Sequence, residues 1–145
     1  MKFKIETLTT LAIGAREKAY APYSHHPVGA AIVSDSGNVY TGCNVENAAY
    51  PLGTCAERNA VAGMIGSDGL QRITTVIIAG PGKHACPPCG GCRQVLREFA
   101  TDDTQIICCD MNGDITLKTT LGELLPHSFG PDNLEKEIIG TTDGA

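Results

Sequence analysis

Two short cysteine-bearing segments constrain this chain more than anything else in it: Cys55-Ala56-Glu57-Arg58 and Pro88-Cys89-Gly90-Gly91-Cys92. Each reads as the start of a helix. The C-x-x-C pair offers two sulfurs from one turn, and its glycines let the backbone fold around an ion. If Cys55 joins Cys89 and Cys92, the fold must bring two helix N-termini, far apart in sequence, to one point. Three cysteine ligands at about 2.3 Å suit zinc and leave one tetrahedral position open to water. A closed structural site needs a fourth protein ligand, and no second C-x-x-C or H-x-x-x-H stands at suitable spacing. The expected cofactor is one Zn²⁺ per subunit.

The residues between these sulfurs point to chemistry rather than to structure alone. Helix N-termini favour ionised sulfur. Three thiolates around Zn²⁺ still leave net negative charge, which Arg58, one turn from Cys55, is expected to offset by hydrogen-bonding the sulfurs. Taken alone, Arg58 reads equally as a surface salt-bridge partner. Glu57 lies two residues from a ligand, where a carboxylate can take a proton from water and return it to a nitrogen. An isolated Glu there would only complement the helix dipole. Cys86 adds an iron–sulfur-like C-x-x-C-x-x-C spelling, but that motif needs a further cysteine soon after Cys92, where the chain reads Arg-Gln-Val-Leu-Arg-Glu. Cys86 is therefore read as a bystander, and Cys43, Cys108 and Cys109 as small core residues.

The surrounding pattern predicts an α/β fold: a three-layer α/β/α sandwich around a mixed sheet, as a single domain over residues 1–145. Residues 5–19 place apolar side chains at helical spacing. VGAAIVS and NVYTGCNV read as a hairpin, 55–66 as a helix, and ITTVIIAG as a buried central strand. CGGCRQVLREFA then opens a third helix, TQIICCD gives another buried strand, Asp114 to Lys118 a further one, and TLGELLP a short helix. Residues 137–145 read as a loose tail.

Charge and cysteine usage narrow the partners. The formal charge is −5, and Lys and Arg form no basic stripe, which argues against a nucleic-acid substrate and for a small ligand. No apolar run reaches the roughly 20 residues that cross a bilayer. Seven cysteines, an odd number, fit metal chemistry in a reducing compartment better than a disulfide framework. The charged N-terminal stretch does not resemble a signal peptide, and a cytoplasmic location is expected.

The order ligand-x-Glu followed by Pro-Cys-x-x-Cys is that of zinc deaminases, in which the Glu is not a ligand. With YAPYSHHPVGAAI, TGCNVENAAYPLGTCAERNAV, PPCGGCRQVLREF and ELLPHSFGPDNLEK, the chain closely resembles the short, homotetrameric cytidine deaminases from about Ala19 to about Glu135. The resemblance implies zinc-dependent hydrolysis of cytidine and 2′-deoxycytidine to uridine and 2′-deoxyuridine, in pyrimidine salvage, by a homotetramer with shared active sites. By the same resemblance, Asn44 and Glu46 hydrogen-bond the ribose hydroxyls, and Ala56 lends its backbone to the pyrimidine edge. Tyr50 and Phe129 reach into a neighbouring subunit's site. N-V-E would put the side chains of Asn44 and Glu46 on one face of a strand. Tyr23 matches a site-lining tyrosine, with a packed core tyrosine as the alternative.

His26 departs from the pattern, because the family usually has Phe there, packed on the pyrimidine. Neutral stacking of the imidazole, an altered base preference, or a His turned to another partner all follow, and the first is favoured. His25 is assigned to the surface. Other readings are a deaminase of a different aminated ring, a polynucleotide editor, and a zinc-binding module without catalysis. An editor would more often carry His as first ligand on a basic surface, and a module would need neither Glu57 nor an open ligand position.

Overall fold

The structure, a computed structural model, describes residues 3–134; the tail at 137–145 lies outside the described residues. Five strands form one sheet in the order β2-β1-β3-β4-β5: β1 Gly29–Ser34, β2 Val39–Cys43, β3 Ile73–Ala79, β4 Gln105–Cys109 and β5 Ile115–Thr120. All neighbours are antiparallel except β3 and β4, which run parallel. A parallel pair needs a crossover, and helix α3, Gly90–Arg97, supplies it.

Alternation along the strands divides the core into two layers. Leu8 and Ala12 of helix α1, Ile5–Arg16, pack on Ala31, Val33, Ile77, Ala79 and Ile107. On the opposite face Ala30, Ile32, Val76, Ile78 and Ile106 meet Ala60, Met64 and Leu96 of helix α2, Ala56–Asp68, and of α3. The sheet thus has helices on both faces, the expected three-layer sandwich. A short helix α4, Leu121–Leu124, capped by the Thr120 hydroxyl, closes the α2/α3 side.

Strand register determines where the loops gather. Gly29 stands opposite both Cys43 and Ala79, and Ala79 opposite Cys109. The segments leading into β1 and out of β2 and β3 therefore emerge side by side at one end of the sheet. Close packing brings α2 to the same end. A Cβ at Gly42 would stand 2.5 Å from Ala60 N and 2.6 Å from Ala56 O, so only glycine lets β2 approach the first turn of α2 this closely.

Candidate active site

Cys55 and Cys89 are the N-cap residues of α2 and α3, with no side-chain cap on either helix. Their sulfurs and that of Cys92 all lie within 4.8 Å of one another. Sulfurs about 2.3 Å from a tetrahedral centre stand about 3.8 Å apart, so the cluster fits a zinc ion with little adjustment. The surroundings also suit thiolate donors. Backbone N–H of Cys92, then the neighbouring thiols and Gly91 N–H, pull the Cys89 thiol below its ordinary range. Burial, above all, holds Cys55 and Cys92 high.

Glu57 projects from the first turn of α2 into the same place and is only 5 % exposed. Burial raises its carboxyl above the usual range, opposed by its own backbone N–H and the Cys92 thiol. A carboxylate poised this way is suited to carrying a proton. Arg58 is exposed, and among the described residues it makes no hydrogen bond to the sulfurs. Ala56 and Glu57 take the inward positions of the first turn. A further rotation of about 100° per residue carries the next side chain outward.

These groups line one side of a cavity of about 500 Å³, within the size range of small-molecule sites. His26, Val28, Asn44, Glu46, Tyr50, Ala56, Cys86 and Pro87 complete it. Asn44 and Glu46 lie beyond the end of β2. The segment stays extended because Val45 bridges Tyr20 and Thr54, so both polar side chains do share the cavity side. Asn44 Oδ1 accepts from Val28 N and Nδ2 donates to His26 O, each at 2.9 Å. Glu46 accepts from Tyr23 N at 3.0 Å, Ser24 N at 3.1 Å and the Ser24 hydroxyl. The Ser24 hydroxyl, foremost among these donors, holds the Glu46 carboxyl below its usual range. An Asn amide and a carboxylate each offer about four hydrogen-bonding positions, so both retain capacity for a ligand.

Tyr23 and Tyr50 meet with their rings tilted by 59°, centroids 5.6 Å apart, and line a smaller recess of about 290 Å³. Tyr23 is half-exposed and so is no core tyrosine. Tyr50 lines its own chain's cavity, whereas Phe129 is absent from that lining and stands exposed on the segment after α4. Cys86 is no bystander: it lines the cavity, with Sγ 3.7 Å from His26 Nε2. Cys108 and Cys109 are buried core residues, Cys43 is half-buried, and His25 is exposed.

Several supporting residues carried no sequence signal, because their partners are distant along the chain. Arg93 donates to Pro88 O at 2.7 Å and Leu124 O at 2.8 Å, tying the metal-binding turn to α4. Arg97 is buried and donates to Ser128 Oγ and Asp132 Oδ1, each at 2.8 Å. Gln94 donates to Phe129 O at 2.9 Å. These two side chains of α3 clamp the segment that presents Phe129.

Residues 2–108 match the family model of the cytidine and deoxycytidylate deaminase zinc-binding region. A cytidine deaminase from Sporosarcina psychrophila is 39% identical over 130 residues, 90% of this chain and 94% of that one. One from Halalkalibacterium halodurans is 42% identical over 123 residues, covering 85% and 92%. The crystal structure of cytidine deaminase from Burkholderia pseudomallei superposes with a TM-score of 0.81 at 40% identity, over 88% of this chain and 100% of that one. With a zinc-sized sulfur cluster and a buried glutamate at the same cavity wall, the chain belongs to the zinc-dependent cytidine deaminase family of hydrolases.

Proposed function

We propose that the chain hydrolyses cytidine and 2′-deoxycytidine to uridine and 2′-deoxyuridine with release of ammonia, and so serves pyrimidine salvage. The observation that carries this reading is that one cavity is lined both by a proton-handling group, Glu57 with the three sulfurs, and by Asn44 and Glu46, which retain unused hydrogen-bonding capacity. Asn44 and Glu46 suit the vicinal hydroxyls of a sugar, and Ala56, which also lines the cavity, would lend its backbone to the base.

Cys55, Cys89 and Cys92 would hold one Zn²⁺ per subunit, which when bound acts as a Lewis acid and supplies a nucleophile from water near neutral pH. Glu57 takes the proton released from that water and delivers it to ring N3, which makes C4 electrophilic. After attack at C4, Glu57 takes the remaining proton from the new C4 hydroxyl and passes it to the amine, which leaves as ammonia while C4 becomes the carbonyl of the product. The burial of Glu57 suits a proton carrier, because a carboxyl held above the usual range is a stronger base than an exposed one and so takes up a proton more readily. Arg58, exposed in the single chain, takes no part in this scheme.

The assembly proposed is a homotetramer in the cytoplasm, with Phe129 and Tyr50 at sites shared between subunits. Their exposure supports it. The acidic balance supports a small-molecule partner rather than nucleic acid, and among the described residues no helix is long and apolar enough to cross a membrane. The test is ultraviolet-monitored turnover of cytidine, deoxycytidine and free cytosine by protein of measured zinc content. Both nucleosides should react and the free base should not. Zinc-replete protein that is inert towards all three, or that prefers cytosine, would overturn the proposal.

A further inference from the structure

His26 enters the cavity wall on a backbone that is already held. Its N–H donates to Ser24 Oγ at 3.1 Å and its carbonyl accepts from Asn44 Nδ2 at 2.9 Å. The imidazole is different. Among the described residues its hydrogen-bonding contact is with Cys86, whose Sγ stands 3.7 Å from Nε2.

Cys86 comes from the other half of the site, the stretch that runs from β3 into Cys89. Its place is tight: a Cβ at Gly80 would stand 2.4 Å from Cys86 Cβ, so glycine at 80 makes the room it occupies. Its carbonyl accepts from Cys108 Sγ at 3.4 Å. Burial, and then the charge of Glu57, pushes its thiol up.

We propose that Cys86 is a positioning residue: through its contact with His26 it sets the imidazole as the wall on which the pyrimidine base packs. The inference rests on the nucleoside reading of the cavity. An exposed imidazole samples several rotamers, and holding one in advance lowers the ordering cost of binding. The contact itself involves neither Glu57 nor the sulfurs of Cys55, Cys89 and Cys92. The effect therefore falls on substrate binding rather than on the chemical step.

The experiment is a double-mutant cycle on zinc-measured wild type, Cys86→Ala, His26→Phe and the double variant. It is combined with imidazole nitrogen NMR, in which the His26 signals are assigned by their loss in His26→Phe. Cys86→Ala should raise KM by about threefold or more with kcat changed by less than about twofold, and should shift the His26 signals. In the His26→Phe background the same replacement should leave KM within about twofold. An equal KM rise in both backgrounds, an unmoved His26 signal, or loss of zinc in Cys86→Ala would overturn the proposal. If zinc-replete wild type turns over no nucleoside while the His26 signals still respond to Cys86→Ala, the deaminase reading falls and the KM effect with it, and the contact alone stands.

Discussion

The floor of the cavity and its rim are built to different standards of completeness. At the floor Glu57 is 5 % and Cys92 1 % exposed, and each has its neighbours in place within one chain. At the rim Tyr50 is 75 % exposed, and outside the cavity lining Leu52 is 69 % and Phe129 58 % exposed. Large apolar side chains left in the open suit a surface that binds a partner. Yet the backbone under Phe129 is not loose, because Arg97 and Gln94 hold it to α3. The chain thus assembles its reactive groups by itself and presents, on a firm base, apolar groups that await a cover.

Perturbing the floor should cost most. Chelating zinc should abolish turnover and lower the Tm, because metal affinity for three thiolates is also folding free energy; full activity in metal-free protein would break the comparison at its centre. Next, Glu57→Gln should keep stoichiometric zinc while kcat falls by about 10²–10⁴-fold, the range of general acid–base contributions. A variant with near-normal kcat would remove Glu57 from proton transfer. At the rim, Arg97→Ala should cost about 1–3 kcal/mol by stripping a buried donor from Ser128 and Asp132. It should also weaken oligomerisation and raise KM, read by sedimentation and steady-state kinetics. Unchanged assembly and KM would show that the clamped segment serves the fold alone.

The smallest effect concerns the polar side of the cavity. Hydrogen bonds, led by that of the Ser24 hydroxyl, hold the Glu46 carboxyl below its ordinary value of 4.5. A depressed carboxylate contributes stability that is complete above its unfolded value and is lost as pH falls through the folded one. Wild type should therefore lose Tm more steeply than Ser24→Ala as pH drops below about 4.5. Parallel curves for the two proteins would show that this hydroxyl does not favour the charged form.

What could be read from the sequence was what depends on local spacing. Apolar strand runs, turn signals and helix starts located the layers, and the two cysteine motifs located the sulfur cluster. What could not be read was direction and distant contact. Arg58 is close to the sulfurs in sequence, but the helix turns it to solvent. Cys86 reads as a bystander in the sequence because no further cysteine completes its motif; the missing side chain at Gly80 lets it approach His26 instead. The sulfur contact at Nε2 leaves the ring lining the cavity, so it is compatible with the stacking reading of His26. The glycine just after a buried strand, followed by a cysteine near a metal turn, was the one available clue. Arg97 offered none, since its partners Ser128 and Asp132 are brought to it only by the fold around α4.

The single parallel pair in the sheet bears on the order in which the molecule comes together. Cys55 follows a hairpin of near neighbours, whereas Cys89 and Cys92 lie in the crossover between β3 and β4. Contacts between residues far apart in sequence form slowly, and a crossover is a long loop to close. The three sulfurs converge only once that crossover has docked beside the hairpin and α2. Absorbance of a thiolate-bound reporter metal during refolding would then follow the late, topology-limited phase, not the early formation of the hairpin.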